Sequence, residues 1–198
     1  MKNDIKIMVS SSFVSRVKDE AFIASTTNSG GRVELDLSDW LSYLAVDGSD
    51  VNQDKINDLL SEAIEGFDEV SLTLQRLTTT SIPKALCQCL NRILVPKLVS
   101  LSFIHCATLN MTVMAALFAA KDSKIRRIAF TSCGWVNDSI LEQISIRCNQ
   151  TLKEIHFEGL KNITNKGMYE IGRRCSGNTT MYVCVCERST FYTQYLLH

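Results

Sequence analysis

The side chains with the widest chemical scope in this chain are its eight cysteines and three histidines. Two Cys-x-Cys pairs, Cys87-Gln-Cys89 and Cys184-Val-Cys186, place thiols close together. Structural zinc sites combine two pairs with wider internal spacing, so these pairs match that pattern poorly. His156 lies between Glu154 and Glu158, a triplet whose residue types suit acid–base or metal chemistry. Such a centre needs a nucleophile or a second imidazole alongside, and no such residue has an expected position beside His156. The triplet therefore reads as a solvated strand surface. Arg147, Arg173 and Arg174 could hold a phosphate, but they fall near helix C-termini, where cations offset the negative end of the dipole. Gly30-Gly31 lacks the lysine and spacing of a phosphate-binding loop. On this reading the chain has no catalytic residue, no metal site and no cofactor.

The elements that position these residues are set by a repeat of 27 positions between residues 98 and 175. Leu98, Ile125 and Leu152 keep that spacing, as do Leu101, Ile128 and Ile155, and Phe103, Phe130 and Phe157. Cys106, Cys133 and Leu160 follow, then Leu109, Val136 and Ile163, then Leu117, Ile144 and Ile171. Cys148 and Cys175 close the last two units. Each unit opens with alternating apolar residues, a strand pattern, and continues at three- and four-residue spacing, a helix pattern. One such unit cannot bury its apolar face alone and must stack on copies of itself. In this register the cysteines are small buried hydrophobes, and Trp40 is a core residue. Trp135, beside Val136 in a turn, is either a binding anchor at a rim or packed under the loop.

Followed in both directions, the pattern predicts strands near 33–37, 70–74, 99–103, 126–130 and 153–157. A sixth falls at Met181–Cys186, with Tyr182 and Cys184 placed 27 after Ile155 and Phe157. Helices are expected at 54–65, 81–93, 111–121, 138–148 and 165–175. Pro83 suits a first helical turn, and Pro96 helps stop the helix before it. Asn110 and Asn137, one period apart, and Thr164 in the next unit stand where N-caps belong. This explains part of a set of five Asn-x-Ser/Thr triplets better than glycosylation does. The fold class is thus an α/β repeat solenoid of about five to six strand–helix units with a parallel sheet on its concave face. The array covers 31–186. Residues 1–30 are a non-repeat tail or cap, and 187–198 are a tail or makeshift cap built on Phe191, Tyr192, Tyr195 and Leu196.

Alternation also assigns faces. Ile128 and Phe130 point inward, so Arg127, Ala129 and Thr131 point outward. Glu154, His156 and Glu158 are their counterparts in the next unit, and Ser100, Ser102 and Ile104 in the previous one. Ser71, Thr73 and Gln75 come before those. The expected partner-binding surface is therefore Ser100, Ser102, Arg127, Thr131, Glu154, His156 and Glu158, with Arg127 one period from Glu154 and able to pair with it.

The chain has 198 residues, 45% of them apolar, and its 21 basic and 21 acidic residues cancel. No basic excess points to nucleic acid, and no apolar stretch is long enough to span a bilayer. Asp4 breaks any secretory signal pattern. Asp4, Asp19 and Glu20 also spoil the acid-poor pattern of a mitochondrial presequence. Eight cysteines without a signal suit a reducing compartment, so a cytoplasmic protein is expected, with a nuclear or mitochondrial one as alternatives.

The segments Cys133-Gly-Trp-Val-Asn-Asp-Ser-Ile-Leu-Glu-Gln-Ile-Ser-Ile-Arg-Cys148 and Leu160-Lys-Asn-Ile-Thr-Asn-Lys-Gly-Met-Tyr-Glu-Ile-Gly-Arg-Arg-Cys175 resemble the cysteine-containing leucine-rich repeat. Leu152-Lys-Glu-Ile-His-Phe157 resembles its strand. Such repeats occur in F-box/leucine-rich-repeat proteins and in the antagonist-of-mitotic-exit type. The resemblance implies a right-handed horseshoe that binds another protein, as a substrate-recognition or accessory subunit linked to an SCF-type ubiquitin ligase. One departure stands out. An F-box opens with a Leu-Pro pair, and the only prolines here are Pro83 and Pro96, both within the array. The expectation is a monomeric, non-catalytic module with a protein partner, with SCF components among the candidates. A leucine-rich-repeat assembly or scaffold factor without a ubiquitin role is the second reading.

Overall fold

The computed structural model describes residues 5–8, 31–36, 53–76, 92, 95–107, 118, 123–175, 180–184 and 192–196. Eight strands are formed: β1 (Ile5–Met8), β2 (Arg32–Asp36), β3 (Glu69–Gln75), β4 (Leu98–Ile104), β5 (Arg127–Thr131), β6 (Glu154–Glu158), β7 (Thr180–Cys184) and β8 (Tyr192–Leu196). They make one sheet in chain order, with every neighbouring pair parallel except the last, β7 with β8. Parallel neighbours need a crossover connection. Three α-helices fall among the described residues, α1 (Gln53–Ala63), α2 (Asp138–Arg147) and α3 (Asn165–Arg174), with one short 3-10 turn at Val95–Lys97. Apart from residues 92 and 118, the helices expected at 81–93 and 111–121 lie outside the described residues, as do Trp40, Pro83, Cys87, Cys89, Asn110 and His198.

The sheet has one buried face because apolar residues alternate along each strand. In β3 the buried Val70, Leu72 and Leu74 interleave with half-exposed Ser71, Thr73 and Gln75. The same alternation sets β4, β5 and β6 in register, with Leu101 on Ile128 on Ile155 and Phe103 on Phe130 on Phe157. The three phenylalanines form a column, with ring centroids 5.3 Å and 6.3 Å apart and rings nearly parallel. Trp135 meets Phe103 and Phe130 edge-on at 5.5 and 5.8 Å. This tryptophan is partly buried and packs against the core.

Helix α2 lays Ile140, Leu141 and Ile144 on the same core, and α3 contributes Ile171. Their starts are fixed by side chains that satisfy otherwise free amides. The Asn137 side chain accepts from the Ser139 and Ile140 amides, and the Thr164 hydroxyl from the Lys166 amide. Thr164 also donates its hydroxyl to Asp138 at 2.6 Å, and its amide to the same carboxylate at 2.8 Å. One helix start is thereby tied to the next. The cysteines occupy repeat positions in the core: Cys106 and Cys133 past the strand ends, Cys148 and Cys175 at the helix C-caps. The Cys106 thiol donates to the Leu74 carbonyl and the Cys133 thiol to the Phe103 carbonyl, at 3.3 and 3.5 Å.

Each of the strands β3 to β6 is followed by a residue in the left-handed region: Arg76 (φ 54°), His105 (φ 51°), Ser132 (φ 51°) and Gly159 (φ 61°). The ladder continues through this row. The Arg76, His105 and Ser132 amides donate to the carbonyls of Ile104, Thr131 and Glu158, each at 2.8 Å.

One expectation changes, and the two ends gain strands. The sixth repeat strand is Thr180–Cys184, and it pairs Ile155 with Met181 and Phe157 with Val183, a spacing of 26. Met181, not Tyr182, therefore fills the core position. The link from α3 to β7 is one residue shorter than that from α2 to β6, and a one-residue slip exchanges the two faces of a strand. Residues 1–30, expected to be a tail or cap, supply β1, which pairs Ile5 with Val33 through Met8 with Asp36. Tyr192 and Tyr195 belong to β8, an antiparallel strand on the edge of the sheet beside β7.

Candidate functional site

The unburied face of the sheet gathers the outward residues of β3 to β6 into rows. Ser71, Ser100, Arg127 and Glu154 form one row; Thr73, Ser102, Ala129 and His156 the next; Gln75, Ile104, Thr131 and Glu158 the third. All seven residues expected on the partner-binding surface therefore share this face. The register places Tyr182 beside His156 as the next residue of the middle row.

Charges on the face are organised by the period. Arg127 Nε donates to Glu154 Oε2 at 2.6 Å, and His156 Nε2 stands 3.6 Å from the same oxygen. The Arg127 hydrogen bond, against a smaller desolvation penalty, holds the Glu154 carboxyl below the usual carboxylate range. Thr131 donates its hydroxyl to Glu158 at 3.3 Å. The charged side chains of the Arg127–Glu154–His156 group are 34–50% exposed, so these pairs orient one another more than they stabilise the fold. The imidazole of His156 thus faces a carboxylate already committed to a guanidinium, which is the geometry of a surface charge network.

A second network lies at the strand N-terminal edge, with Glu69 between two arginines. Arg32 donates to one of its oxygens at 3.0 Å and Arg126 to the other. Desolvation alone would raise the Glu69 carboxyl, but both guanidinium groups outweigh it and hold the group low. Sequence reasoning missed this carboxylate. The strand was expected to begin at Val70, and Arg126 lies 57 positions away, off the repeat spacing. The only available signal was parity, because Glu69 lies two before Ser71.

Two of the three arginines at the helix ends, Arg173 and Arg174, are taken up by acids. Arg173 and Arg174 both donate to Glu170 at 2.8 Å, and Arg174 lies 3.9 Å from Glu142. The buried thiols are shifted against ionisation. Burial pushes Cys148 and Cys175 up to about 11. Cys133 is raised further, first by its contact with the Cys106 thiol and then by burial.

Among the described residues no group of three or more His, Cys, Asp or Glu is gathered as metal ligands. Nor is any described helix long and apolar enough to cross a membrane. No protein-family model matches the chain, and no curated protein or solved structure matches it either.

Proposed function

We propose that this chain is a leucine-rich-repeat solenoid, a right-handed horseshoe whose sheet lines the concave side, and that it works as a non-catalytic protein-interaction module. The observation that carries this is the unburied face of β3 to β6. Three rows of outward side chains lie in register, one set per repeat, while the inward positions repeat almost unchanged. Repeat architectures bind partners across such continuous surfaces. The neutral residues Ser100, Ser102 and Ala129 leave room for an approaching chain, and the ion-paired Arg127 and Glu154, the imidazole of His156 and the carboxylate of Glu158 supply polar contacts beside them. The likeness of the Cys133–Cys148 and Leu160–Cys175 segments to cysteine-containing repeats supports a role as a recognition or accessory subunit of an SCF-type ubiquitin ligase.

Quantitative affinity capture with the tagged full chain tests both parts. The expected result is a partner set lost from Arg127→Glu and Glu158→Lys and retained by Tyr169→Ser, a change at an exposed tyrosine of α3. Partners indifferent to both sheet variants would sink the binding face. Recovery of the ligase adaptor and cullin is expected. Their absence alongside an intact partner set would remove the ubiquitin role and leave the binding role standing.

A further inference from the structure

Resting on the reading of this face as a partner surface, we propose that Arg76 and His105 form an oxyanion-binding pair at its rim, which takes a carboxylate or phosphorylated side chain of the protein partner. The pair follows the ends of adjacent strands, β3 and β4. Their amides donate to Ile104 and Thr131, so the ladder fixes both backbones, about 4.8 Å apart as in any strand pair. Both side chains are exposed, and neither makes an ion pair among the described residues.

The backbone supplies the second observation. Arg76 and His105 are left-handed, at φ 54° and 51°. That conformation is unfavourable for any residue with a Cβ, and glycine adopts it freely. The equivalent position after β6 is Gly159, at φ 61°. Ser132 shares the conformation after β5, so it belongs to the whole row, and at two of the four positions the chain carries a long, nitrogen-rich side chain where glycine would be less strained. A guanidinium fork and an imidazole N–H together present several donors to one oxyanion. Among the described residues, the acids close in register already accept hydrogen bonds: Asp36 from Gln75 at 2.6 Å, and Glu158 from Thr131.

Left-handed geometry also makes the test clean, because Arg76→Gly removes the side chain and suits the backbone. Histidine-ring NMR of the full chain is followed at fixed pH and ionic strength during titration with sodium acetate, inorganic phosphate or sodium chloride. The His105 signals are expected to move saturably with acetate or phosphate and not with chloride, while those of His156 stay. The anion that saturates first names the source, acetate an Asp or Glu and phosphate a phosphorylated residue. Arg76→Gly should weaken that binding by about tenfold, the loss of one charge-assisted contact. Ser132→Gly, one strand further along, should leave it unchanged. No saturable movement with either oxyanion, or undiminished binding in Arg76→Gly, overturns the pair. The capture experiment above reads the binding face separately, so this pair can fail while the face survives.

Discussion

A methyl group at Gly167 would sit 2.5 Å from Asp138 Oδ1, 2.9 Å from Leu141 Cδ1 and 3.0 Å from Asp138 Cα. The carboxylate cannot simply swing aside, because Thr164 binds both of its oxygens, and the Cα belongs to α2 itself. In an ordinary exposed helix, replacing glycine by alanine gains about 1 kcal/mol. Here the sign should reverse. Gly167→Ala is expected to destabilise the protein by up to about 2 kcal/mol, the ~1–3 kcal/mol of overpacking less the ~1 kcal/mol helix gain, read as a lower urea midpoint. The opposite residue-level case is Ser132, non-glycine at φ 51°. Ser132→Gly is expected to stabilise the protein by about 0.5–1 kcal/mol through relief of left-handed strain, read as a higher urea midpoint. A lower midpoint for Ser132→Gly would mean that the hydroxyl, which faces Gly159, contributes more than the backbone conformation costs.

The helix starts show how neighbouring units are coupled. Thr164 caps α3 through its hydroxyl and at the same time donates that hydroxyl to Asp138 at the start of α2. The Asp138 carboxyl is lifted somewhat by desolvation but brought below its usual value by these Thr164 bonds. Thr164→Ala removes both roles and should lower stability by about 1–2 kcal/mol, a cap plus a charge-assisted bond. Combined with Asp138→Ala the losses should add to less than their sum, because the two residues share one interaction. Full additivity in a urea double-mutant cycle would show the link to be idle. These elements also mark what the sequence could disclose. Strict alternation in Leu101, Phe103, Ile128, Phe130, Ile155 and Phe157 made the strands and the outward rows legible, and the 27-residue period placed Arg127 against Glu154. Asn137 and Thr164 were legible as caps because cap chemistry is local. The β7 register was not, since it depends on a connection one residue shorter than the last. Strand β1 was not, because four residues, Ile-Lys-Ile-Met, carry no period of their own. The Arg126–Glu69 link joins strand edges off the repeat spacing, and no local pattern encodes it.

Across the whole molecule, the ionisable groups bound a pH window of stability from both sides. Glu69 and Glu154 have depressed folded values. Their contribution is present above the unfolded carboxylate value of about 4.3 and is lost as pH falls through the depressed values. Both pairs lie at the surface, so the acid arm should be shallow. The alkaline arm should be steeper, because Cys148 and Cys175 are buried and pushed up to about 11. An acid with a raised folded value contributes stability that is fully present below its unfolded value, about 8.5 for a thiol, and lost above it. Between those limits the unfolded thiol releases its proton and the folded thiol does not. Each such thiol should therefore subtract about 1.4 kcal/mol per pH unit, or roughly 2 kcal/mol by pH 10. The diagnostic quantity is the difference between two proteins, not the total slope. Cys148→Ala leaves a cavity and should be less stable than the parent at pH 7. Without the thiol it should also lose less stability between pH 8 and pH 10, so the two urea midpoints converge as pH rises. The measurement is made under a phosphine reductant to keep the thiols reduced. Parallel midpoint curves would show that the core admits the Cys148 thiolate, and would contradict the burial of this helix-end cysteine that the repeat requires.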